Sequence, residues 1–376
     1  FDRNRVEKGP FGGGAVAVGF GIADGINVTG CNFTNNIAEG GGGAILVLSH
    51  STVTFCVFVS NSGPATDPFL GGGAIRISVT LAKSTIADSM FIGNSAGAVA
   101  GAVLVNSAAL VVNCSFDRNR VERGPFGGGA LVVGLGIAGG INVTGCKFTN
   151  NSAVSGGALE LFSTARVQAC EFRDNSAILG GGALFVPSFV SGTLPVVIDC
   201  AFSGNTAKSG GGLGLESSVI FQGCTLENNK ALFGGAVFIS YFTTISAEFA
   251  GCVFRGNAAS KAGNAFYLEG SSSVSVALNG SALCGDDARA SVECQQTSMV
   301  MGPFSSSVGA RNVVQSPCVL SGDLASPLAA ESATTTWHGA LCGDDEARFY
   351  TTQPFVNLLT AITFELTAVA GVSMAV

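Results

Sequence analysis

Cysteine is the residue type in this sequence that can take part in the widest range of reactions. The chain of 376 residues has twelve cysteines, eight of which recur at one position of a repeated pattern: Cys31, Cys56, Cys114, Cys146, Cys170, Cys200, Cys224 and Cys252. Thiolates bind soft metal ions, often together with histidine, and pairs of thiols form disulfides. Equivalent side chains on stacked strands lie ~4.8 Å apart, farther than the ~3.8 Å that separates the Cβ atoms of a disulfide. We therefore expect a buried column of reduced thiols that holds neither metal nor cofactor.

The other four cysteines lie outside the repeated pattern, at Cys284, Cys294, Cys318 and Cys342. They form an even set in a loop-rich segment, so we expect one or two disulfides and an oxidising compartment. The motif Leu-Cys-Gly-Asp-Asp stands at 283–287 and again at 341–345. Paired carboxylates can bind Ca²⁺, but further oxygen ligands at fixed spacing are missing here. We expect solvated turns at both copies and no metal site.

Groups suited to catalysis are scarce and scattered. The two histidines, His50 and His338, stand in no recognisable Ser/His/Asp context. Arg76 and Glu160 share an outward position but are three repeats apart, and no pair of acids occupies this position in neighbouring repeats. We therefore predict no catalytic residues.

The elements that position these residues belong to a repeat. Its first mark is Phe-x-x-Asn, present in ten copies if Leu226 is counted in place of Phe, and its second is Gly-Gly-Ala followed by an aliphatic residue. Successive copies are 24 to 33 residues apart, which is one coil of a solenoid. Residues 1–36 and 116–151 are identical at 30 of 36 positions, which indicates a recent duplication.

Residue types within the repeat predict strands and corners. Cys and Phe are two residues apart and therefore share the inward face of a strand, and the aliphatic residues after Gly-Gly-Ala form a second inward face. Gly-Gly supplies positive φ angles or a close backbone approach at a corner. The Asn lies at a turn whose left-handed geometry it tolerates, and stacked copies predict a hydrogen-bonded ladder. The ladder residues are Asn36, Asn61, Asn94, Asn119, Asn151, Asn175, Asn205, Asn229 and Asn257.

We predict an all-β fold: a parallel β-helix, right-handed and three-sided, of about ten coils over residues 1–270. We expect residues 271–376 to form a C-terminal cap or extension, or to contain degenerate coils of the same repeat. The number of residues from each Ala mark to the next Phe alternates between 17–19 and 14, so the extra residues are expected at the same corner of every second coil.

A row on the outer side of the strand after Gly-Gly-Ala is unexpectedly apolar. Its residues are Ala17, Leu46, Arg76, Leu104, Val132, Glu160, Phe185, Gly214, Phe238 and Tyr267. An exposed apolar stripe of this length marks an interaction surface on a monomer. We therefore expect the row to associate with another molecule or to be covered by the C-terminal segment.

Composition limits the partners. A net charge of −7 excludes the basic footprint of a nucleic-acid-binding protein, and 47% hydrophobic residues exclude a disordered chain. Because the sequence begins at Phe1, we expect a processed chain or a fragment, attached to a membrane only through regions outside it. Asn-x-Ser/Thr triplets suggest surface glycosylation at Asn27, Asn32, Asn113, Asn142, Asn150 and Asn279.

The two repeat marks resemble those of chlamydial polymorphic outer membrane proteins and of related pectin-lyase-like surface proteins, over about residues 1–270. The resemblance implies an extracellular or surface-displayed β-helix, associated with the outer membrane if the source is bacterial. It also implies a role in adhesion to a host or neighbouring cell, with glycans or other copies of the chain as partners. We expect a non-enzymatic adhesive or structural protein. The alternatives are a carbohydrate-active enzyme of the pectin-lyase-like class and a glycan-binding module.

Overall fold

The computed structural model describes residues 1–7, 12–19, 25–64, 71–78, 83–124, 127–134, 140–188, 194–240, 245–269, 274–278, 281–284, 292–294, 299–301, 304–306, 314–315 and 319–321. Within these ranges the regular elements are β-strands, and no helix has the length and hydropathy needed to cross a bilayer. The strands form three long sheets, here called sheets 1, 2 and 3 in the order in which each coil visits them.

Sheet 1 contains the strands that follow Gly-Gly-Ala: Val16–Val18, Ile45–Val47, Ile75–Ile77, Val103–Val105, Leu131–Val133, Leu159–Leu161, Leu184–Val186, Leu213–Leu215, Val237–Ser240, Phe266–Glu269, Val292–Cys294 and Val314–Gln315. Sheet 2 contains Ile26–Thr29, Ser51–Thr54, Ser84–Ala87, Ala109–Val112, Ile141–Thr144, Ala165–Gln168, Val196–Ile198, Val219–Gln222, Ile245–Ala250, Val274–Ala277, Met299–Met301 and Val319–Ser321. Sheet 3 contains the Phe strands: Asn32–Thr34, Val57–Val59, Met90–Ile92, Ser115–Asp117, Lys147–Thr149, Glu171–Arg173, Ala201–Ser203, Thr225–Glu227, Val253–Arg255, Ser281–Cys284 and Phe304–Ser306.

Short strands follow the Asn turn and lead back to sheet 1. They pair as Arg5–Val6 with Ile37–Ala38, as the series Ser95–Ala96, Arg120–Val121, Ser152–Ser155 and Ser176–Gly180, and as Lys230–Phe233 with Ala258–Ala262. Isolated bridges at Thr206 and Ser209 connect the last two groups. This side of the column is called the short side below.

All these pairings are parallel, and each strand pairs with its equivalent one coil away, as in Phe91 with Phe116 and Phe116 with Phe148. The predicted right-handed parallel β-helix is therefore confirmed as the fold class. Sheets 1 and 2 each have twelve strands, because strands between residues 274 and 321 extend the column beyond the ten coils expected. The proposed domain division at residue 270 stays a prediction.

Each coil turns at corners where one residue has a positive φ. One such residue precedes the Cys position, as Asn113 does (φ 51°), and another precedes the ladder Asn, as Asn150 does (φ 55°). Our expectation that the ladder Asn itself takes the left-handed turn is wrong. The exposed residue before it absorbs the turn, so that the Asn side chain is free to point inward.

The two glycines of Gly-Gly-Ala have different tasks. The first has a positive φ, as in Gly128 (φ 67°). The second leaves no room for a side chain: a Cβ at Gly129 would lie 2.1 Å from the carbonyl oxygen of Gly157, and one at Gly157 would lie 2.1 Å from that of Gly182. Both reasons expected for Gly-Gly from the sequence therefore apply: the first glycine has the positive φ, and the second allows the close backbone approach.

The extra residues of the long coils all lie at one corner, between sheet 1 and sheet 2. Seven residues separate Leu131–Val133 from Ile141–Thr144, whereas three separate Val103–Val105 from Ala109–Val112 in the coil before. The predicted placement at a single corner is therefore confirmed by the strand bounds.

We expect Gly129→Ala to destabilise the column by about 3 kcal/mol or more, because the new Cβ would overlap a backbone oxygen that no side-chain rotation can move. Gly19→Ala is the matched control, since a Cβ there meets nothing within 4 Å. Thermal unfolding followed by circular dichroism measures both. Equal melting temperatures for the two variants would contradict the close-approach explanation.

Candidate functional site

The polar residues with the most regular geometry are the ladder asparagines. Asn119 donates its backbone N–H (2.9 Å) and its Nδ2 (3.0 Å) to Oδ1 of Asn151 in the next coil. Its Nδ2 also donates to the carbonyl of Phe91 at 2.9 Å. The amide therefore uses both donor hydrogens and both acceptor positions, which is what a buried amide requires.

The same contacts join every predicted ladder residue from Asn36 to Asn257. The ladder also includes Asn4 in the first coil, whose backbone N–H and Nδ2 both donate to Oδ1 of Asn36. Because their hydrogen-bonding capacity is used within the column, these amides have a structural task and do not offer a binding site.

Phenylalanine rings form a second continuous array. Rings of consecutive coils stack with centroids 4.7 to 4.9 Å apart and planes within 8° of parallel, through Phe1, Phe33, Phe58, Phe91, Phe116, Phe148, Phe172 and Phe202. Apart from Phe1, which is exposed at the first coil, these rings are fully buried. Their contribution is the burial of apolar area along the whole column.

The cysteine column occupies a corner where a backbone N–H needs an acceptor. The N–H of Cys146 donates to Sγ of Cys170 at 3.4 Å, and its own Sγ donates to the carbonyl of Thr144. All eight repeat cysteines are free thiols, and all are buried except the half-exposed Cys31. Serine replaces cysteine in this role, since Ser89 and Ser281 accept from the N–H groups of Cys56 and Cys252.

Two thiols of the column, Cys146 and Cys56, are in environments that oppose ionisation. Hydrogen bonds with the neighbouring thiols of Cys114 and Cys170, together with burial, raise the pKa of Cys146 well above its usual value. Burial likewise raises the pKa of Cys56. Among the described residues no group of three or more His, Cys, Asp or Glu side chains could hold a metal ion.

Other predicted sites are dispersed. Cys284 and Cys294 stand in strands of sheets 3 and 1, whereas Cys318, Cys342, His338 and Asn279 lie outside the described residues, as do Asp286, Asp287, Asp344 and Asp345. The predicted disulfides therefore stay predictions. His50 is half-buried, with Nδ1 at the carbonyl of Lys83. Of the glycosylation candidates, Asn27, Asn32, Asn113 and Asn150 are exposed and Asn142 is half-buried.

The apolar row on the outer side of sheet 1 is not an exposed stripe over its first half. Leu46, Leu104 and Val132 are fully buried within this chain. Val99, Ala100 and Phe162 form a second apolar cluster with Leu104 and Val132. The expectation of a continuous interaction surface is therefore wrong for these three residues, because other parts of the chain already cover them. Further along, Phe185, Phe238 and Tyr267 remain half-exposed.

Glu160 is a carboxyl group buried in this same row. Its Oε2 accepts a hydrogen bond from the backbone N–H of Gly127, and the residue is 1% exposed. Burial raises the pKa of Glu160 to about 8, with a further increase from the charge of Glu216, although the Gly127 hydrogen bond opposes the rise. At neutral pH this carboxyl is therefore mostly protonated.

Glu216 is a second acidic residue near Glu160, and it does not belong to the outward row identified from the sequence. It follows Leu213–Leu215 of sheet 1, two coils beyond Glu160 and two residues past the outward row. It is half-buried, and burial raises its pKa also. A search for acids just after each sheet 1 strand would have found it. Arg76 lies on the other side of Leu104 and donates from Nη1 to the carbonyl of Gly40.

We expect alkylation by iodoacetamide to begin at Cys31 in the native protein. The seven buried repeat thiols should react only after unfolding, because the reagent cannot reach them in the folded column. Peptide mapping by mass spectrometry, with and without denaturant, distinguishes the sites. Native labelling of Cys146 as fast as that of Cys31 would contradict a closed column.

We expect the stability of the protein to fall between pH 5 and pH 8 because of Glu160. The pKa of the Glu160 carboxyl is about 8 in the folded state and about 4.5 in the unfolded chain. Between these values only the folded state keeps the proton, so the free energy of unfolding falls as the pH rises. Glu160→Gln keeps the acceptor for Gly127 and removes the titration. From pH 5 to pH 8 the free energy of unfolding of this variant should rise relative to that of wild type by on the order of 3 kcal/mol.

Urea unfolding at several pH values measures this difference. Glu171→Gln, which alters a half-buried carboxyl on sheet 3 near Lys147, is the control and should not reproduce it. Parallel pH profiles for wild type and Glu160→Gln would contradict the assignment.

Comparison with known proteins gives one match. Residues 1–186 match the family model described as "Right handed beta helix region". No curated protein and no solved structure matches the chain. This match and the coil geometry of the described residues together show a right-handed parallel β-helix fold.

Proposed function

We propose that this chain is a non-enzymatic β-helical protein, secreted or displayed at a cell surface, that acts in adhesion or as a structural element. The observation that carries the proposal is the unbroken ladder from Asn4 to Asn257, accompanied by the Phe and Cys columns. In these ladders the interior polar groups of each coil bond to the next coil. Such a column is a stiff rod, and its polar interior groups serve stability rather than chemistry.

The outer face of sheet 2 supports the same role. In its first coils small polar side chains stand in register: Asn27 pairs with Thr52, and Thr29 pairs with Thr54, with 3.2 Å between the two threonine hydroxyls. Flat faces that repeat every ~4.8 Å suit contact with an extended partner. We propose host or neighbouring-cell surfaces, glycans or other copies of the chain as partners, without nucleic acid or cofactor.

The repeat resemblance to chlamydial polymorphic outer membrane proteins supports an extracellular or cell-surface location. In a bacterial source this would be at the outer membrane. Exposed Asn-x-Ser/Thr sites, as at Asn32 and Asn150, would suit a glycosylated surface protein in a eukaryotic source.

A carbohydrate-active enzyme is the second candidate, and one observation favours it. Glu160 and Glu216 are carboxyl groups with raised pKa values on the same side of sheet 1. Paired carboxyl groups of this kind serve glycosidic cleavage when substrate reaches both. Glu160 is covered, however, so this reaction would need the cover to open.

Two assays on the purified full chain test the proposal. We expect saturable binding to cells or to a glycan array, and no cleavage of a panel of acidic and neutral polysaccharides by reducing-end and unsaturated-product assays. Glu216→Gln should leave binding unchanged, because Glu216 has no part in an adhesive surface in this proposal. Cleavage that is abolished in Glu216→Gln would overturn it in favour of the enzyme.

A further inference from the structure

One row on the short side of the column alternates apolar and basic residues over four consecutive coils. Its members, here called the Leu-Lys row, are Leu179, Lys208, Leu232 and Lys261. Backbone pairing fixes this alignment: Gly180, Ser209, Phe233 and Ala262 are aligned by successive pairings between neighbouring coils. Each member of the Leu-Lys row is the residue just before one of these four, so the members occupy equivalent positions. The backbone agrees, since the N–H of Leu232 donates to the carbonyl of Lys208 at 3.0 Å.

The side chains of the Leu-Lys row point to solvent. Leu179 is 50% exposed and Leu232 is 38% exposed, and beside them Ile178 is 66% exposed. Lys208 and Lys261 are exposed as well. Three large aliphatic side chains exposed close together on one side of a column are unusual, because burial of each would be favourable.

Aromatic and basic groups extend this surface. Nζ of Lys261 lies 5.3 Å from the ring centroid of Phe233, a cation–π arrangement. Phe233 in turn contacts Tyr267, with centroids 5.1 Å apart. Lys230, at the start of the same short strand as Leu232, adds a further exposed cation.

The charge of the surface differs from that of the rest of the chain. The protein has only six lysines and a net charge of −7, yet three of these lysines are on this side in successive coils. On the same side of earlier coils two arginines have acidic partners: Arg5 is 3.3 Å from Glu7, and Arg120 is 2.8 Å from Glu122.

Lys208, Lys230 and Lys261 have no such neutralisation. No salt bridge in the described part of the chain involves them. Of the acids in these coils, Asp174 pairs with Arg173, and Glu227 belongs to a strand of sheet 3. The surface is therefore locally positive and apolar together.

We propose that the Leu-Lys row, with Ile178, Phe233 and Lys230, docks on an anionic lipid bilayer. Lysine ammonium groups bind the negative headgroups, while the leucines, Ile178 and Phe233 enter the interfacial region beside them. Exposed aliphatic side chains favour lipid over an anionic polysaccharide, which offers hydroxyls and carboxylates but no hydrocarbon. The proposal is independent of the adhesive role proposed above.

Vesicle co-sedimentation of the full chain tests it. The probes are vesicles of phosphatidylcholine alone and vesicles containing about a third phosphatidylserine. We expect binding only to the anionic vesicles, weakened by added salt because the headgroup attraction is screened. The triple variant K208Q/K230Q/K261Q and the variant I178S/L179S/L232S should each lose about tenfold or more in affinity.

A control variant removes cations from other faces of the column. K147Q/R166Q lowers the positive charge by two on sheets 3 and 2 and should bind like wild type. All substituted side chains of the lysine variant are exposed, so its melting temperature should equal that of wild type.

Four outcomes would overturn the proposal. The first is failure of wild type to bind anionic vesicles, and the second is an equal loss of vesicle affinity in K147Q/R166Q. The third is binding to soluble heparin that I178S/L179S/L232S retains, without vesicle binding. This third result would assign the surface to an anionic polysaccharide. The fourth, concentration-dependent dimerisation abolished by I178S/L179S/L232S, without vesicle binding, would assign it to a second copy of the chain.

Discussion

The spacing of parallel strands, ~4.8 Å, is the distance to which the contacts of this column are matched. A primary amide can donate to and accept from a copy of itself at that distance, and Asn119 and Asn151 do so with 3.0 Å between Nδ2 and Oδ1. Phe rings stack at the same interval, and the carbonyl of a glycine in one coil lies where the glycine of the coil before it would carry a Cβ. One constraint thus selects Asn, Phe and Gly at three separate positions of every coil.

The interior polar groups form hydrogen bonds with their own equivalents in neighbouring coils. The features that could recognise a partner must therefore lie on the outer surface. Cysteine illustrates the division: it is reactive in isolation, yet here it is a small acceptor for a corner N–H, a task that Ser89 performs equally. What distinguishes one part of the column from another is the side-chain set on sheet 1 and on the short side. Buried Leu104 and Val132 give way there to half-exposed Phe238 and Tyr267.

Much of the fold could be predicted from the sequence, because residues repeated at one position must meet their own copies. The Asn ladder, the inward Cys and Phe, and the single corner for extra residues all follow from that logic. The left-handed residue before each Asn could not be found in this way, since its type varies among Asn35, Ser60 and Asp174. Nor could the burial of Leu46 and Glu160, which depends on how other segments of the chain fold across sheet 1.

The two kinds of coil, long and short at the corner between sheets 1 and 2, make the pair of coils the unit by which the column can grow. A single inserted coil would place two long corners next to each other, whereas a pair keeps the alternation in phase. The near-identical segments 1–36 and 116–151 are offset by 115 residues, which is four coils, an even number. Over the coils from residue 1 to residue 226, a duplication of an even number of coils therefore preserves the alternation of long and short corners.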